Sequence, residues 1–236
     1  MLKCSHILCK VDNIHDCVDQ LERAGFTVQW GGNPTRAHNA LVWFEQGPFL
    51  EFFELPRWFR WLSVPFGWRF GRCAGRRLFQ WATAASGWCD VALEPLEYRQ
   101  EAPLNLTGVN EYLRKHSING SRVVKGSRTS ASGGKVHYRF MTLQEKHQPF
   151  IVSHYYPQQR PPLVKHVNGA VGVSRVDFYL PAASQGTLKL LLPEDSCLQS
   201  HACEKRHISG VTLRGWQPPP ETPAFIHSLF TSSQEN

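Results

Sequence analysis

The chain has 236 residues, 42% of them hydrophobic, which suffices for one large domain or two small ones with a buried core. No apolar run approaches the roughly 20 residues that cross a bilayer, and the opening MLKCSHILCKVDN lacks the apolar stretch of a signal peptide, so a cytoplasmic protein with reduced cysteines is expected. A formal charge of +7 raises nucleic acid or an acidic membrane as partners, whereas seven cysteines without a CxxC pair support neither a zinc ribbon nor a thioredoxin motif.

The segment SHILCKV alternates, with Ile7, Cys9 and Val11 on one side and His6, Leu8 and Lys10 on the other, as a strand requires. Asp12-Asn13 supplies a helix cap. Ile14, Cys17, Val18 and Leu21 recur at helical spacing through Glu22, and Gly25 stops the helix. FTVQW reads as a short strand, GGNPTRAH as a polar loop, NALVWFE as a strand and QGP as a turn. FLEFFEL follows as a strand with Glu51, Phe53 and Leu55 on one face.

Residues 57–81 come next, with six arginines and four tryptophans and no acid. Pro65, Gly67, Gly71 and Gly75 interrupt any long amphipathic helix there. The segment is therefore read as a bent connector or lid, tryptophans packed on the domain and arginines facing water. Nucleic acid is not expected, and contact with a membrane surface through 57–81 is not favoured.

Beyond the connector the opening pattern repeats. GWCDVALEPLE reads as a strand, LTGVNEYLRKHSI as a helix, and SRVVKGSRT, GGKVHYRFMTL and QPFIVSHYYP as three strands. QGPFLEFFELP against HQPFIVSHYYP is the clearest echo. A partial unit follows, with VSRVDFYLP as strand, SQGTLKLLL as helix and HISGVTLRGW as strand, and the proline-rich tail reads as an extended strap with a frayed end. The expected organisation is a first βαβββ module at 1–56, the connector at 57–86, a second, degenerate module at 87–160, and a partial unit with its tail at 161–236.

The run SHILCKVDNIHDCVDQLERAGFTVQWGG, followed by NALVWFEQGPFLEFFELP, resembles the first module of glyoxalase-like proteins in the vicinal-oxygen-chelate (glyoxalase/bleomycin-resistance/dioxygenase) superfamily. KVHYRFMTLQEKHQPFIVSHYYP and HVNGAVGVSRVDFYL resemble further parts of the same branch, and together these segments cover roughly two thirds of the chain. The resemblance implies an α+β fold in which tandem βαβββ modules curl a mixed sheet into a cup with helices outside. It further implies a divalent metal (Fe, Mn, Ni or Zn) held by a first-strand histidine and a last-strand glutamate. Such enzymes are lyases, isomerases or dioxygenases acting on small oxygen-bearing metabolites; other members bind drugs or metabolites without metal. Cups shared across a homodimer also occur in the superfamily.

His6 and Glu51 match the first-module ligand positions, and the alternation independently puts both on the face away from the helix. The bland alternative is a backbone-bonded histidine and a glutamate paired with a base. The second pair departs from the pattern: Val152 falls where Glu51 sits, and Trp88 or Asp90 where a histidine is expected. His154 shares a face with Val152 and is either a third ligand or a structural histidine in a polar pocket, and Asp90 is a candidate fourth ligand or substrate contact. Asn39 and Trp43 suit a planar or carbonyl-bearing ligand, or else cap a loop and fill core. Arg128 is able to grip a carboxylate or phosphate, or else faces solvent. The glycine pairs at 31–32 and 133–134 are turn signals, since neither fits a phosphate-loop pattern.

Overall fold

The computed structural model describes residues 2–130 and 133–233. Its centre is β1 (Leu2–Val11), where Ile7, Cys9 and Val11 share a core with a helix and His6 and Leu8 face the concave side. Helix α1 (Ile14–Arg23) begins where the Asn13 side chain accepts from the amides of His15 and Asp16, and it buries Ile14, Cys17, Val18 and Leu21. It ends at Gly25, whose φ of +79° is the left-handed conformation that glycine adopts without strain. Strands β2 (Gln29–Trp30), β3 (Asn39–Val42) and β4 (Phe49–Glu54) complete the first βαβββ unit.

The second unit repeats that order with β5 (Gly87–Pro95), α4 (Thr107–Lys115), β6 (Val124–Thr129), β7 (Lys135–Met141) and β8 (Phe150–Val152). One eight-stranded sheet results, in the order β2-β3-β4-β1-β5-β8-β7-β6, so the two units meet where β1 runs antiparallel to β5. The sheet curls until its edges meet: Arg128 on β6 donates to the Gly31 carbonyl just past β2, and a Cβ on Gly32 would lie 3.1 Å from the Thr129 carbonyl oxygen. The glycine pair at 31–32 is thus more than a turn, because it lets the rim close.

Between the units a 3₁₀ turn (Arg57–Leu62), α2 (Ser63–Phe70) and α3 (Arg72–Thr83) fold over one end of the concave face, with the break at Gly71 where φ is +116°. Lys10 reaches from β1 to the carbonyls of Ala82 and Ala84 and holds the end of α3. The segment is therefore two short helices broken at Gly71 rather than one long one, with Pro65 and Gly67 accommodated inside α2 and Gly75 inside α3. Its tryptophans depart from expectation: Trp81 packs inward, but Trp58, Trp61 and Trp68 face solvent. The inner face of α2 is taken by Gly67 lying close to Gly75 of α3, with Phe66 and Phe70 half-buried, which leaves no room inside for indoles.

The C-terminal part forms a second sheet, β10-β9-β11-β12, from β9 (Gly172–Leu180), β10 (Leu198–Ala202), β11 (His207–Arg214) and β12 (Phe230–Ser233), with α5 (Ala182–Leu191) between β9 and β10. It packs on the convex side of the first sheet and shares one core with it, joining Ile7, Cys9, Val91 and Leu93 to Val176, Phe178, Val211 and Leu213. The tail is more than a strap: Ala224–Leu229 forms α6 and runs into β12, which adds in parallel to β11. The frayed end expected beyond it falls on 234–236, outside the described residues. No described helix is long and apolar enough to cross a membrane.

Candidate functional site

The parallel register of β1 and β4 sets His6 opposite Phe49 and Leu8 opposite Glu51, so His6 and Glu51 lie one step apart on the concave face. The His6 ring is buried, stacked on Phe49 at 4.5 Å and edge-on to Phe150 at 5.9 Å. Its Nε2 lies 3.4 Å from Glu51 Oε2. Burial drives the His6 pKa down from 6.5 to about 3, so the ring is neutral over the physiological range.

A bulge fixes which nitrogen holds the proton. The pairing of β1 with β5 slips between Cys4 and His6, leaving Ser5 as the extra residue. Ser5 Oγ donates to Glu94 Oε2 at 2.8 Å and lies 3.1 Å from His6 Nδ1, so its oxygen accepts from a protonated Nδ1. The Nε2 lone pair then points at Glu51. On the far side, Asn39 Nδ2 donates to Glu51 Oε1 at 2.8 Å. Asn39 fits because Gly31 has no side chain; a Cβ there would lie 1.9 Å from Asn39 Oδ1. Burial raises the Glu51 pKa, opposed by the Asn39 hydrogen bond and by the charge of Arg128. The phenols of Tyr138 and Tyr155 are raised too, by burial first and then by the charge of Glu51.

An imidazole lone pair facing a carboxylate is two acceptors with no donor between them, an arrangement satisfied either by a cation or by a proton on Glu51, whose pKa burial raises. The chemistry fits a divalent metal: a neutral imidazole and a carboxylate, each braced from behind by Ser5 or Asn39, as ligands in such sites are. A 3.4 Å N···O separation is also what two metal–ligand bonds of about 2.1 Å enclose at a near-tetrahedral angle. The protein supplies two such donors at this point. Among the described residues no trio of His, Cys, Asp and Glu side chains is close enough to grip one ion, so His154 is not brought to the gap.

The second unit explains why. Ala92 pairs with Phe150 as His6 pairs with Phe49, so the position equivalent to His6 is Ala92, deeper along β5 than Trp88 or Asp90. Val152 stands in the place of Glu51, and Ala92 and Val152 fill the concave face with Leu8, Phe150 and Trp81. His154 lies beyond β8, with Nδ1 3.6 Å from Glu94 Oε2 and Nε2 3.0 Å from the Glu97 carbonyl. It meets His6 indirectly, through Glu94 and Ser5.

His154 lines two adjoining cavities. One, of about 320 Å³, lies against the loop after β5 and α4 and is walled by Leu2, Leu96, Ala102, Val109 and Tyr112. The other, about 70 Å³, is lined by Ser5, Trp43, Phe49, Glu94, Tyr155 and Arg160 among others, and so borders Ser5 and Phe49, the two residues that contact the His6 ring. Trp43 is buried against Phe49, with the Arg160 guanidinium 5.5 Å from its ring, and its indole N–H has no acceptor among the described residues. Asp90 is placed elsewhere, under α3. Arg77 Nη1 lies 3.1 Å from its Oδ2, Trp81 Nε1 donates to the same oxygen at 2.6 Å, and Arg206 reaches Oδ1, so its oxygens are engaged by protein groups. Sequence reasoning missed Ser5, Glu94, Arg77 and Arg206. The Ser5-His6 adjacency was visible, but a bulge leaves no mark on an alternating pattern.

A family profile described as a glyoxalase-like domain matches residues 4–191. No curated protein matches the chain. Among solved structures, a hypothetical protein from Staphylococcus aureus superposes with a TM-score of 0.63 at 12% identity, covering 99% of this chain and 100% of that one. The Mn(II)-bound glyoxalase from Novosphingobium aromaticivorans gives 0.47 at 8% identity over 89% of this chain and 64% of its own. An extradiol ring-cleaving dioxygenase from B. fuscum gives 0.46 at 9% identity over 89% and 56%.

Proposed function

Since the chain belongs to the glyoxalase-like domain family, we propose that it acts on a small oxygen-bearing metabolite at a divalent ion held by His6 and Glu51, as a lyase, isomerase or dioxygenase. The observation that supports this is the lone pair of His6 Nε2 facing the Glu51 carboxylate across 3.4 Å, with Ser5 and Asn39 fixing both. His6 Nε2 and Glu51 would be the protein ligands, and the ion supplies Lewis acidity that polarises a substrate carbonyl. The chain's own groups do the rest. Phe49 and Phe150 exclude water from the imidazole, Asn39 orients the carboxylate, and the free indole N–H of Trp43 offers a donor to a ligand oxygen. The charge of Arg128 favours the ionised form of Glu51, and the two phenols beside it stay protonated.

A second reading has its own support. With Ala92 and Val152 at the second pair of positions, the protein serves instead as a metal-free binder that sequesters an aromatic drug or metabolite in the cavity beside Trp43 and Tyr155. Elemental analysis of protein purified without a metal-binding tag, beside the His6→Ala, Glu51→Ala double variant, separates the two. Near-stoichiometric Fe, Mn, Ni or Zn that vanishes in the variant is expected. Absence of metal from both, even after reconstitution, sinks the metalloenzyme and leaves the binder.

A further inference from the structure

The stretch Arg57–Phe70 turns its three tryptophans outward together with Leu62 and Val64. Trp58, Trp61, Val64 and Trp68 are 57%, 70%, 57% and 82% exposed, and Leu62 is exposed with them, while no other tryptophan among the described residues is exposed. Positions 58, 61, 65 and 68 follow a 3-4-3 spacing, which places Trp, Trp, Pro and Trp along one stripe of the 3₁₀ turn and α2. Phe59, Phe66 and Phe70 are half-buried, and Gly67 lies against Gly75, so the opposite side is the one that packs. A helix covering a protein surface shows the reverse arrangement.

The charge around the stripe has one sign. Arg57, Arg60, Arg69, Arg72 and Arg76 are exposed, no acid occurs between Glu54 and Asp90, and among the described residues none of the five pairs with a carboxylate. Arg60 lies 4.9 Å from the Trp61 ring and Arg69 5.1 Å from the Phe70 ring, so both cations stay beside aromatic surface.

We propose that this face is an interfacial anchor that seats the protein on an anionic lipid surface. Indoles favour the boundary between headgroups and acyl chains, guanidiniums pair with lipid phosphates, and both are rigidly presented here on a helical hairpin held to the domain by α3. The segment lies on the membrane, since no described helix is long enough to span one. Charge alone would equally suit nucleic acid. The aliphatic groups between the indoles decide: Leu62, Val64 and Pro65 have no role in base stacking but add to the apolar surface that enters lipid.

The test is flotation of the full chain with phosphatidylcholine vesicles, with and without phosphatidylserine, together with tryptophan emission. The proposal expects binding at least tenfold tighter to the serine-containing vesicles, a blue-shifted emission, and a loss of more than tenfold between about 0.05 and about 0.5 M salt. The Trp58→Ala, Trp61→Ala, Trp68→Ala variant should lose at least tenfold in binding at an unchanged urea midpoint. A second variant, Arg57→Gln, Arg60→Gln, Arg69→Gln, should lose the preference for the anionic lipid. Equal affinity for neutral vesicles, no effect of the indole variant, displacement of the protein from vesicles by a single-stranded oligonucleotide, or a homodimer that the indole variant breaks without any vesicle binding each overturn it.

Discussion

His6 and Glu51 respond to the same burial in opposite directions, and that makes their roles measurable. His6 falls from 6.5 to about 3, so the folded protein binds fewer protons there than the unfolded chain. Its contribution to stability is complete above about pH 6.5 and is lost as the pH falls toward 3. Replacing His6 by Asn should flatten that acid limb in urea midpoints taken across the range; an unaltered limb would show that another group causes it. Glu51 is raised, so its contribution is present at low pH and is lost as the pH rises through its folded value. Glu51→Gln should therefore stabilise the metal-free protein at neutral pH, while Mn(II) should stabilise the natural protein and not this variant. Thermal melts with and without the ion check the pair of statements, and stabilisation of both proteins by Mn(II) would place the ion elsewhere. Strand alternation made His6, Glu51 and Asn39 legible as one constellation. It said nothing of Ser5, because a bulge is decided by how two strands pair and not by either sequence alone. Nor did it bring out the unpartnered N–H of Trp43, which depends on what the folded chain fails to place near it.

At the scale of elements, Asp90 is the point where α3, β5 and the segment entering β11 are tied together, through Arg77, Trp81 and Arg206. Two guanidiniums around one fully buried carboxylate form an unequal network. Arg77→Ala leaves Asp90 with Arg206 and Trp81 still in place. Asp90→Ala strands the buried Arg77 and the half-buried Arg206, and breaking a buried pair from the acid side costs about 3–5 kcal/mol. The expected order of urea midpoints is natural protein, then Arg77→Ala, then Asp90→Ala, with metal content unchanged in both variants because neither touches the His6–Glu51 gap. A reversed order would mean that Arg77 works mainly by filling space. The connector shows what composition leaves open. Of its expected helix breakers only Gly71 makes the bend, since Pro65 and Gly67 lie inside α2 and Gly75 inside α3; whether indoles point in or out depends on the close approach of Gly67 and Gly75, a contact between two helices that no local pattern encodes. β10 was missed for a similar reason: LQSHA carries little alternation and becomes a strand because β9 offers it a parallel edge.

For the molecule as a whole, the unit that folds is larger than the stretch recognisable as a family domain. The glyoxalase-like match ends at residue 191, yet β9, which lies inside it, has both neighbours outside it, in β10 and β11. The inner residues Val176, Phe178 and Leu180 share a continuous core with Ile7, Cys9 and Val91 on the back of the half-barrel, and that core also takes in Val211, Leu213, Ile226 and Phe230 from beyond the boundary. Trp88 marks the joint: its ring lies 5.8 Å from Phe52 and 5.6 Å from Phe230, and its N–H donates to the Leu229 carbonyl at 2.9 Å. Ending the chain at 191 would leave β9 as an open strand with an apolar face, the configuration most prone to pairing between molecules. It would also remove the cover from the strands that carry His6 and Glu51. Residues 1–191 expressed alone should therefore be insoluble, or should melt without a cooperative transition, whereas a chain ending at 233 should unfold in one step. A cooperative 1–191 fragment with the urea midpoint of the longer chain would show that the second sheet is an accessory to the half-barrel rather than half of its core.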